Sequence, residues 1–107
     1  MLNGKTAAVK SVLRLEGHCI ACAVNRRAHE LTVQMLNSEE TESIEEKNSE
    51  LELLTRFHLQ TDFSRLCTER PELSGGSPVE VTLSEDEFSR FNISVRPLKN
   101  EERLLEE

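Results

Sequence analysis

Residues 71–78 read Pro-Glu-Leu-Ser-Gly-Gly-Ser-Pro, a stretch that predicts a loop and divides the chain into two unlike parts. The hydrophobic period changes across it. Before it, Ile20, Val24, Ala28, Leu31 and Met35 recur at steps of three and four, which predicts a helix over 20–36 with one apolar stripe. After it, Val79, Val81 and Leu83 alternate with Glu80 and Thr82, and Ile93 and Val95 alternate with Ser94 and Arg96. That period of two predicts strands over 79–83 and 92–96. The C-terminal part is too short to fold alone, so it must pack on the helical part. The expectation is an α+β fold: a helical hairpin (20–36 and 40–69) on a small two- or three-stranded sheet.

Residues 8–16 are the candidate third strand. Read as a strand, Val9, Ser11, Leu13 and Leu15 share a face; read as a helix, Val9, Val12 and Leu13 cluster, with Gly17 as the stop. The two valines tip the balance toward the strand. In the second helix, Ser43 with Glu46 and Ser49 with Glu52 fit capping boxes, placing its start near 39–43. Ile44, Leu51, Leu54 and His58 then follow a seven-residue rhythm that Lys47 interrupts. Thr61-Asp62 can kink this helix or cap a new short one that stops before Pro71. Ser84 with Glu87 is a further capping box, predicting a short helix over 85–91 that carries Phe88 and Phe91 on one turn. Domain limits of 1–98 follow, with 99–107 as a charged tail.

Four phenylalanines are the only aromatic residues, so the core must be built from Leu, Val, Ile and Ala. The net charge of -7 is unevenly spread. Residues 1–30 carry five basic side chains against two acidic, and 31–107 carry eight against eighteen. The bulk of the molecule would repel a phosphate backbone, which argues against a nucleic-acid binder. The longest apolar run is too short for a membrane span. Three cysteines do not make a disulfide framework, and the chain opens without a charged-then-apolar leader, so a cytoplasmic setting with reduced thiols is expected.

Two sets of residues carry the functional expectations. A second apolar stripe, Cys22, His29, Val33 and Leu36, lies nearly opposite the first on helix 20–36. With Ile44 and Leu51 it forms the candidate surface for a protein partner or a second copy of the chain. The other set is chemical. Cys19-Ile20-Ala21-Cys22 opens a helix, where free N–H groups and the helix dipole favour a thiolate. With Cys67 and His18, the pair could supply four ligands to a zinc ion. The order strand, Cys-x-x-Cys, helix over residues 9–36 resembles the thioredoxin-like redox site and the heavy-metal-associated domain. Gly17 stands two steps before Cys19 rather than three, no Met accompanies it, and Ile20-Ala21 lacks aromatic or Pro-Gly character. No family is assigned on this basis.

The expectation is a small acidic protein-interaction module without catalysis, acting through helical surfaces as a homodimer. The alternative is a metal or thiol-redox protein centred on Cys19 and Cys22. A third reading, an acidic mimic of nucleic acid, requires the glutamates of 39–52 and 85–87 to share one face.

Overall fold

A computed structural model describes residues 9–98; the expected tail at 99–107 lies outside them. Three α-helices and one 3-10 turn pack on one face of a three-stranded antiparallel sheet. In chain order these are β1 (Lys10–Leu15), α1 (Ile20–Leu36), α2 (Thr41–Gln60), α3 (Phe63–Glu69), the 3-10 turn (Pro71–Ser74), β2 (Val79–Glu85) and β3 (Phe91–Pro97). The strands lie in the order β1-β2-β3. Register runs Leu15 to Val79 to Pro97 at one end and Ser84 between Lys10 and Asn92 at the other.

The strand reading is the one that folds, over Lys10–Leu15; residue 8 of the expected range lies outside the described residues. Ser11, Leu13 and Leu15 are buried while Lys10, Val12 and Arg14 face solvent. Alternation wins because β1 is covered on one face only. Gly17, at φ +91°, lets the chain leave β1 and turn into α1.

α1 buries Ile20, Val24 and Leu31 of the expected stripe together with Ala23, while Ala28 and Met35 are half-buried. α2 buries Leu53, Leu54 and Phe57; of the seven-residue rhythm, Leu54 is buried and Ile44 and Leu51 are half-buried, while its last position, His58, is exposed. Helix α2 starts after Glu40, which makes no side-chain cap. Ser43 and Ser49 therefore sit inside the helix rather than capping it. Ser43 accepts from Lys47 Nζ (2.8 Å), and Ser49 donates to the Glu45 carbonyl (3.0 Å). The break at Thr61-Asp62 is real. Asp62 caps α3 by accepting from the Arg65 N–H at 3.2 Å.

The short helix expected at 85–91 does not form. Residues 86–90 are the turn of the β2–β3 hairpin. Asp86 does not cap a helix there. Its carboxylate accepts from the backbone N–H groups of Phe88 (2.8 Å) and Arg90 (2.9 Å) and from Arg90 Nε (3.0 Å). Those donors, the Arg90 N–H above all, hold its pKa below the usual carboxylate value. Ser89 completes the reversal at φ +63°. The same carboxylate chemistry that starts a helix here closes a turn, because the flanking segments pair as strands.

Phe57 is the centre of the core. It meets Phe63 and Phe91 edge-on, with ring centroids 5.6 and 5.3 Å away. Phe88, expected beside Phe91, is instead exposed on the hairpin turn. Leu73, in the stretch predicted to be a loop, is fully buried and plugs the core from the 3-10 turn.

Candidate functional site

The first turn of α1 sets the chemistry of the Cys19–Cys22 pair. Cys19 is the N-cap residue with extended backbone (φ -74°, ψ 167°), and Cys22 follows one turn later. That spacing brings their sulfurs to 3.7 Å. Cys22 is exposed and Cys19 is half-buried. The Cys22 N–H, more than the Cys22 thiol and the Ala21 N–H, lowers the Cys19 pKa. Neither N–H closes a capping bond on the thiol, so the field of the donors, rather than a formed hydrogen bond, does this. The Cys22 pKa rises, first through the contact between the two thiols and then through the charge that Cys19 carries when ionised. The outcome is one thiol inclined to ionise beside one inclined to stay protonated.

The turn that carries the pair is held from behind. Gly75, at φ +93°, brings its loop so close that an added Cβ would meet the His18 carbonyl carbon and oxygen at 2.7 Å. Only glycine satisfies both the conformation and the approach. Cys67 lies on α3 with its thiol toward the Leu73 carbonyl (3.7 Å), and burial raises its pKa.

Among the described residues, no three His, Cys, Asp or Glu side chains converge to hold a metal ion. Cys19 and Cys22 come together, while Cys67 and His18 do not join them in a ligand set. The four residues that could supply zinc ligands therefore form no common cluster among the described residues. Cys67 is tied to the 3-10 turn, and His18 is exposed.

The partner-surface residues also divide. Cys22, His29, Val33 and Leu36 are all exposed, Val33 by 40% and Leu36 by 80%. They occupy the side of α1 opposite its buried stripe. Ile44 and Leu51 are half-buried, and Leu51 packs against the core of its own chain. Leu51 leaves the candidate surface for that reason.

A site with no sequence signal joins three elements. Glu50 on α2 accepts from Ser11 Oγ of β1 (2.7 Å) and from Arg27 Nε and a terminal nitrogen of α1 (2.8 and 3.1 Å). Arg27 also pairs with Glu30 at 3.2 Å. Ser11 is 1% exposed and the Glu50 side chain 15%. Arg27 is pushed further up by Glu50. Next to this network, a cleft of about 380 Å³ opens between β1 and α1, lined in part by Arg14, Arg26, Arg27, Glu16 and Glu30. Three basic residues of the N-terminal third thus do gather. Arg14 is paired with Glu16 and Arg27 with Glu50 and Glu30, so the cleft has little positive charge to offer an anion. Two of the glutamates that the acidic-mimic reading draws on are neutralised by ion pairs, Glu50 by Arg27 and Glu85 by Arg56.

Fold and site together define a small α+β protein with an open helix face and a close thiol pair at its N-terminal end. A model of one protein family matches residues 9–96, and the chain belongs to that family. The membership brings no activity with it. No curated protein and no solved structure matches the chain.

Proposed function

We propose that the protein is a non-catalytic interaction module whose outer α1 face docks on a second copy of the chain. The observation that carries this is the contrast on one helix. Ile20 and Leu31 are fully buried on one side, while Val33 and Leu36 stay open on the other. Exposed aliphatic side chains on one helix face can be covered by the same face of a second copy across a two-fold axis. His29 extends that face toward the N-terminal end of the helix, and the proposed contact stops short of Cys22. A reducing cytoplasm suits three free thiols. Among the described residues, no helix is long and apolar enough to cross a membrane.

Sedimentation equilibrium across a concentration series tests the reading. A dimer that Leu36→Asp converts to a folded monomer is the expected result. A wild-type protein that stays monomeric at high micromolar concentration would overturn it.

A further inference from the structure

We propose that Cys19 and Cys22 form a thiol–disulfide exchange site that takes a low-molecular-weight disulfide as its oxidising substrate and closes to an internal disulfide. This goes beyond the interaction reading and does not depend on it. The geometry that points here is the pairing itself. Two sulfurs 3.7 Å apart on one helical turn already stand near the bond length of about 2.05 Å that a disulfide needs. One sulfur is open to solvent, and the other is only half-covered. Among the described residues no disulfide binds them elsewhere, and no third ligand diverts them to a metal.

The reaction balances in two exchanges. The Cys19 thiolate attacks one sulfur of R–S–S–R, giving a mixed disulfide on Cys19 and releasing RS⁻. Cys22 loses its proton to solvent, and its sulfur attacks the Cys19 sulfur. The Cys19–Cys22 bond forms and the second RS⁻ leaves. Both released thiolates are protonated at neutral pH. The protein dithiol is oxidised by two electrons, and the small disulfide is reduced to two thiols. Reversal by excess thiol restores the dithiol.

The roles follow from position. Cys19 stands where the N–H groups of the first turn favour a thiolate, so it attacks first. Cys22 retains its proton until the mixed disulfide forms, because its own ionisation is opposed by Cys19. Once Cys19 is capped, that opposition ends, and Cys22 is free to ionise and resolve. Cys67 takes no part, since its thiol faces the Leu73 carbonyl and burial keeps it protonated.

The test uses the full chain with glutathione disulfide as the probe. Of three free thiols, two should disappear, leaving one. Both lost hydrogens should map to the tryptic peptide spanning 15–26, which contains Cys19 and Cys22. Cys67→Ser should behave as wild type. Cys22→Ser should accumulate one glutathione on Cys19, and Cys19→Ser should react far more slowly. Excess reduced glutathione should return all three thiols. Stable glutathione adducts on the wild type without an internal bond, a bridge to Cys67, or three unreactive thiols in a folded protein would each overturn the proposal. The readout is chemical, so its failure would leave the dimer proposal standing, and a monomeric protein would leave this one standing.

Discussion

Replacing Glu50 with alanine removes the acceptor shared by Ser11 on β1 and Arg27 on α1. The two donors are not equally affected. Ser11 is 1% exposed, so its hydroxyl would be left buried without its only partner among the described residues, at a cost of about 1–3 kcal/mol. Arg27 is 31% exposed and keeps Glu30, so solvent screens its loss to about 0.5–1 kcal/mol. Alanine recovers a few tenths of a kcal/mol (roughly) in helix propensity. The net expectation is a loss of about 2–3 kcal/mol, against a total stability of about 5–15 kcal/mol for a domain. Glu50→Gln keeps an acceptor for Ser11 and should lose only about 1 kcal/mol. The cycle Ser11→Ala, Glu50→Ala and the double variant should show a coupling of about 1 kcal/mol or more, because removing the hydroxyl removes the buried orphan. The chain has neither Trp nor Tyr, so urea unfolding is followed by the helical circular-dichroism signal, with the denaturant slope unchanged. A Glu50→Ala loss below about 0.5 kcal/mol, the size of an ordinary surface substitution, would refute the reasoning. So would strict additivity in the cycle.

Three further outcomes follow from the packing and the thiol geometry. Phe57→Ala empties the position between Phe63 and Phe91 and should cost about 3–5 kcal/mol, seen as a collapse of the urea midpoint. Gly75→Ala adds a backbone clash to about 1–2 kcal/mol of left-handed strain, whereas Gly17→Ala meets nothing within 4 Å and pays the strain alone; equal midpoints for the two variants would contradict the close approach to His18. In a protein carrying Cys22→Ser and Cys67→Ser, alkylation of Cys19 should show a midpoint below the ordinary thiol value of 9.0. The sign for stability is set by the same direction. Ionised Cys19 favours the folded form as pH rises from its lowered folded pKa toward the unfolded value, and it contributes nothing below that window.

The architecture was legible because its main elements are locally specified. Ile20, Val24 and Leu31 mark a helix face by spacing alone, and they are buried as that spacing requires. Val79, Val81 and Leu83 mark a strand in the same way. Residues 84–91 misled because Ser84 and Asp86 suit a helix start and a hairpin turn equally well. Pairing of Glu85 with Phe91 decided between them, and that pairing depends on a core the local sequence does not contain. His58 misled at one position: the rhythm holds through Leu51 and Leu54, but at its end Phe57 takes the inward place against Phe91 and His58 faces out.

The sequence by itself determined the inward spacing of Ile20, Val24 and Leu31, the alternation of Val79, Val81 and Leu83 and the spacing that brings Cys19 and Cys22 onto one turn, since each is fixed by interactions within about one helical turn or one strand. The tertiary structure alone decided which glutamate of a Glu-rich helix turns inward to a partly buried ion pair. Glu50 meets Arg27 across 23 residues and Ser11 across 39. It also decided that Leu73 fills the core, and that Leu36 stays open while Leu51 does not. Burial is a property of what packs opposite a side chain, and for these residues the opposing surface comes from distant parts of the chain.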